Sequence, residues 1–132
     1  MNLSALKPTE APQPMRVLDP RTGRPLGTDK APVTVSLVGR DSQEYRDAQA
    51  HFLDKLRSDA TKRRATSLTT EEADANALAI LAACTKGWEG IEWDGKPLAF
   101  SPSAAVQIYA DLPWLRDQVD AFVGDRTNFL PS

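Results

Sequence analysis

The feature that most constrains this fold is the punctuation of residues 82–130. The stretch Ala-Ala-Cys-Thr-Lys-Gly-Trp-Glu-Gly (82–90) is followed by Asp94-Gly95, Ser101-Pro102 and Pro113. Glycine just beyond an alanine-rich periodic run reads as a helix stop, here at Gly87 after Lys86. Asp94-Gly95, between Ile91-Glu92-Trp93 and Lys96-Pro97-Leu98, is a strong two-residue hairpin signal. Ser101-Pro102 pairs an N-cap with proline at the first helical position, and Pro113 starts another helix. All three tryptophans, Trp88, Trp93 and Trp114, fall among these signals. They read as core or core-edge anchors, so this part of the chain looks like architecture.

Outside that region the periodicity changes. Val33, Val35 and Leu37 alternate with Thr34 and Ser36, the pattern of a half-buried strand. Before it, Met15 to Leu18 is a short apolar run, and Asp19-Pro20-Arg21-Thr22-Gly23 has turn chemistry. Asp41 followed by Glu44 reads as a capping box. It leads a helix whose stripe is Tyr45, Ala48, Phe52, Leu56 and Ala60. Thr69 with Glu72 opens a second helix, with Ala73, Ala77, Ile80, Leu81 and Cys84 as its stripe; its small side chains suggest a central position. Ala105, Ile108, Tyr109 and Leu112 mark a third inner face, and Leu115, Val119, Phe122 and Val123 a fourth. The expected fold is α+β, mainly α. It has about four helices, an N-terminal β segment and a small hairpin near residues 91–98.

Six of the ten prolines precede residue 33. Residues 1–14 therefore read as a flexible Pro-rich arm, and 15–130 as a single globular domain. At 132 residues and 41% hydrophobic content the chain suits one modest core. Sixteen basic against 18 acidic side chains, net charge −2, give no bulk field for nucleic acid or anionic membrane. The opening residues lack the apolar core of a secretory leader, and no run approaches a membrane span. A cytoplasmic, soluble protein is the expectation.

Catalytic chemistry finds little support. Cys84 is the sole thiol and His51 the sole histidine. A nucleophile pair between them lacks an evident orienting group, and a metal site lacks further ligands. No phosphate-binding glycine pattern occurs. Glu71-Glu72 suits the first turn of a helix, and Lys62-Arg63-Arg64 reads as a solvated helix end. The expectation is no enzyme, no cofactor and no metal. Two apolar side chains, Phe129 and Leu130, follow the last helix and must either fold back or meet a partner. Arg126, Asn128, Phe129 and Leu130, with Trp114, are the candidate partner-binding residues.

One resemblance adds to this reading. It is carried by the order Asp19-Pro20, Val38-Gly39-Arg40-Asp41-Ser42, Cys84-Thr85, Gly87-Trp88, Phe100-Ser101, Pro113-Trp114-Leu115, Gln118-Val119 and Asp125-Arg126 to Leu130. The set spans roughly residues 16–130 and resembles tail assembly chaperones of long-tailed bacteriophages and prophages. The resemblance implies a mostly helical, non-enzymatic protein. It would keep the hydrophobic tape measure protein soluble and help recruit tail tube protein, in a possible homo-oligomer. A structural tail or neck component, with the arm as a strap, and a small host-directed regulator stand as alternatives.

Overall fold

The computed structural model describes residues 2–63 and 70–131, without the side chains at 56 and 58–63. A three-stranded antiparallel sheet is built from β1 (Gln13–Arg16), β2 (Thr34–Leu37) and β3 (Thr85–Glu89), in the order β1-β2-β3. Val35 and Leu37 on β2 are fully buried, and Thr34 and Ser36 are half-buried on the opposite face, as the alternation predicts. β1 begins at Gln13, inside the stretch read as an arm. Pro14 is tolerated there because β1 is an edge strand, where a missing N–H costs no central ladder bond. The amide of the Gln118 side chain clamps the ribbon that follows. It donates to Leu18 O and accepts from Leu18 N–H, both at 2.9 Å.

β3 differs from expectation. The helix before it ends at Ala83, and Gly87 lies within the strand opposite Ser36, without positive φ. Trp88 pairs with Val35. The local cue, glycine after lysine, loses to a tertiary demand: the second edge of β2 carries backbone groups that must be paired once Val35 and Leu37 are buried. The register skips Lys86, which forms a bulge between the Ser36 and Leu37 pairings.

Four helices complete the fold: α1 (Gln43–Arg63), α2 (Thr70–Ala83), α3 (Pro102–Asp111) and α4 (Pro113–Gly124). The fold is mixed α+β and mainly helical. α2 packs on α1, α3 and α4, the central position its small side chains suggest. Its buried members are Leu78, Leu81 and Ala82, while Ala73 is exposed. The cap of α1 is Ser42, one residue after the expected Asp41. Its Oγ accepts from Tyr45 N–H at 3.2 Å and donates to Gly39 O at 2.6 Å. Ser101 Oγ caps α3 through Ala104 N–H, with Pro102 following, as predicted. β4 (Glu92–Trp93) and β5 (Lys96–Pro97) form the small hairpin. Asp94 (φ 53°) and Gly95 (φ 79°) supply the two left-handed residues that a type I′ turn needs.

The core lies between the sheet and α2, α3 and α4, with Ala105, Ile108, Tyr109, Leu115, Val119 and Val123 all at 3% exposure or less. One polar chain crosses it. Thr85 Oγ–H donates to Leu81 O at 2.8 Å, so the 2.7 Å bond between Thr85 and Tyr109 has the phenol as donor. The cap residue Thr69, Arg64, and the side chains of Leu56, Ala60, Lys62 and Arg63 lie outside the described residues. Among the described residues no helix is long and apolar enough to cross a membrane.

Candidate interaction surface

The five residues expected to meet a partner fall into two places. Arg126 to Phe129 form a short 3-10 helix capped by Asp125, whose carboxylate accepts from Thr127 N–H at 3.0 Å. Arg126 sits over Asp41 with bonds of 2.8 and 3.2 Å to its two carboxylate oxygens. That guanidinium, through its hydrogen bond first and its charge second, holds the Asp41 carboxyl below the usual carboxylate range. Asn128 Nδ2–H donates to Phe122 O at 3.0 Å. Phe129 is only 3% exposed, edge-on to Phe122 with centroids 5.6 Å apart. Its ring lies against Gly39, where a Cβ would meet it at 2.7 Å. Its carbonyl accepts from Thr9 N–H at 2.8 Å. The tail has folded back, and Phe129 is part of the interior. Leu130 stays half-buried and shares a shallow hollow with Leu6, Lys7 and Pro8.

Trp114 belongs elsewhere. It stands half-buried in the first turn of α4 and forms one wall of an apolar cleft of about 250 Å³. Trp93, on the hairpin, forms the facing wall and is 36% exposed. The floor is aliphatic: Val17 and Val33 from the sheet side, Ile108 and Leu115 from the helices. Among the described lining residues the only charge is Glu92. The hairpin presents Trp93 here because Ile91 and Trp93, two apart, share a face. Trp88 has a different fate. Its ring lies edge-on to Phe100 at 5.0 Å and its Nε1–H donates to Leu98 O at 2.8 Å, which ties the hairpin to the sheet. Trp93 is therefore the functional candidate that sequence reasoning missed. Alternation placed it beside Ile91, but nothing local says that it would line a cleft with Trp114.

Cys84 is fully buried, and burial pushes its thiol up to about 12, far from the thiolate a nucleophile needs. His51 is exposed on α1, on a groove with Glu44 and Asp47. Burial likewise pushes the Tyr109 phenol up to about 12, against the opposing effect of its bond to Thr85. No group of three or more His, Cys, Asp or Glu side chains that could hold a metal occurs among the described residues.

Fold and surface together define a small α+β domain that carries an open apolar cleft lined by two tryptophans. Residues 40–129 match the family model of the YdaY prophage protein, and the chain belongs to that family. The matched span reaches from the loop before α1 to the buried Phe129, and the phage origin implied by the resemblance is thereby shown. No curated protein and no solved structure matches the chain at a significant level.

Proposed function

We propose that this prophage protein is a non-enzymatic tail assembly chaperone that acts in the host cytoplasm. It holds apolar segments of the tape measure protein in the Trp93–Trp114 cleft and brings the complex to tail tube protein. The observation that carries this reading is the cleft itself. It is open and mostly apolar, and among its described lining residues Glu92 is the one charge. A holdase needs such a surface and no reactive group, since binding alone keeps a client from aggregating. About 250 Å³ falls below the ~300–1,000 Å³ of drug-sized ligand pockets. A ~150 Å³ apolar cavity already admits a benzene-sized group, so apolar side chains are the fitting occupants.

The test is co-expression with the tape measure protein encoded in the same prophage. The soluble fraction of that protein rises with wild-type chain and returns to baseline with Trp93→Ala. Equal insolubility with and without the chain would end the chaperone reading. One observation favours a structural tail or neck component as the second reading: Leu3 and Leu6, in the N-terminal arm, are 72% and 48% exposed and could lie on a neighbour. Mass spectrometry of purified particles separates the two, because an assembly chaperone is left behind and a structural component stays.

A further inference from the structure

We infer that the Trp93–Trp114 cleft receives the N-terminal arm of a second copy of this chain, so that copies associate head to tail. The arm carries the most exposed large hydrophobic side chain of the described residues. Leu3–Leu6 is a 3-10 helix, held at its start by Asn2 Oδ1, which accepts from Ser4 N–H at 3.2 Å. In a 3-10 helix residues three apart eclipse one another. Leu3 and Leu6 therefore stand in line as a single apolar ridge, ~6 Å long at ~2 Å per residue. Residues 2–7 of the arm are all exposed. In its own chain the arm borders a different hollow, beside Asp41 and Leu130, and is anchored there through Thr9. The ridge is thus an exposed apolar surface, and the cleft an open one of matching character.

Charge selects the pairing. Between residues 2 and 8 the one charged side chain is Lys7, and the one charge lining the cleft is Glu92. Neither forms an ion pair among the described residues. An aliphatic ridge ending in a cation meets an aliphatic cleft edged by an anion. Because ridge and cleft are different surfaces, the contact is heterologous and adds copies into a ring or an open chain. Interfaces this small bind weakly, below the ~1,200 Å² of stable ones. Arm and client compete for this one cleft, so a copy that holds a client segment there does not hold a neighbour's arm. The inference stands without the chaperone reading, and its test uses no client.

Sedimentation velocity of the purified chain over increasing concentration reads the effect directly. Wild type moves from its 14.4 kDa monomer to larger species. L3S/L6S, altered only at exposed positions, raises the dissociation constant at least about tenfold. K7E and E92K each weaken association, and an equimolar mixture of the two restores it, because the arm of K7E now suits the cleft of E92K. A wild type that stays monomeric to about 1 mM overturns the inference. So does an L3S/L6S protein that associates like wild type, or a charge-swap mixture no stronger than its components. Circular dichroism of each variant confirms that the fold is unchanged.

Discussion

The C-terminal tail and the tryptophan cleft are both aromatic, and they end in opposite states. Phe129 is 3% exposed and Trp93 is 36% exposed. The tail arrives with polar anchors: Arg126 on Asp41, Asn128 on Phe122 O, and the Phe129 carbonyl under Thr9 N–H. Each anchor satisfies a group that ordering the tail would otherwise leave unpaired, so burial of the ring follows. The hairpin is anchored by the bond from Trp88 to Leu98 and by Ile91 and Leu98, which pack against the core. Its strand residue Trp93 lines the open cleft with Trp114 and keeps 36% exposure. The difference lies in what meets each ring: Phe129 is enclosed by the bare Gly39 backbone and the Phe122 ring, whereas Trp93 borders an open cleft.

The strongest way to break this comparison is Phe129→Ala. Emptying a closed aromatic site costs about 3–5 kcal/mol, read from urea unfolding. A loss under about 1.5 kcal/mol would mean that the tail is not part of the core. Gly39→Ala comes next, at about 1–3 kcal/mol, because the new Cβ meets the Phe129 ring at 2.7 Å. Adding Phe129→Leu to Gly39→Ala recovers part of that loss if the two sites share one space. Trp93→Ala is smaller still in stability, within about 1 kcal/mol, while it abolishes whatever the cleft binds.

Cys84 supplies an independent readout of the same contrast. Its thiol, pushed up to about 12 by burial, stays protonated and shielded at pH 8. Alkylation then requires opening of the core. Phe129→Ala accelerates labelling strongly and Trp93→Ala leaves it unchanged; equal acceleration by both would erase the distinction. Asp41→Asn gives the smallest effect. Arg126 lowers the Asp41 carboxyl in the folded state, so the pair stabilises above the ordinary carboxylate range. That contribution disappears as pH falls through the lowered value. Wild type and D41N therefore differ near neutral pH, converge in acid, and differ less at high salt.

Much of the architecture was legible because its signals are local. The alternation at Val33 to Leu37, the Asp94-Gly95 turn and the Ser101-Pro102 start each depend on neighbours within a few residues. The misses are non-local. Asp41 and Ser42 can both cap α1, and the choice goes to Ser42 while Asp41 takes Arg126, 85 residues away. Gly87 looks like a helix stop until β2 is known to need a second partner. The fate of Phe129 rests on the missing Cβ of Gly39, which no window around either residue contains. The candidate surface was half legible: Trp114 was named, and its partner wall Trp93 was read as architecture.

The pairing of β2 with β3 has a consequence for synthesis. About 50 residues, most of them in α1 and α2, separate Leu37 from Thr85. At a translation rate of roughly 5–20 residues per second, β3 leaves the ribosome some 2–10 seconds after β2. During that interval Val35 and Leu37 have β1 on one side and no strand on the other, while the helices can already form. Helix formation takes microseconds and the sheet must wait for the chain, so the order of folding is imposed by the ribosome. A nascent copy thus passes through a stage in which its central strand is an uncovered edge, and crowded polysomes are where misassociation of this protein would begin.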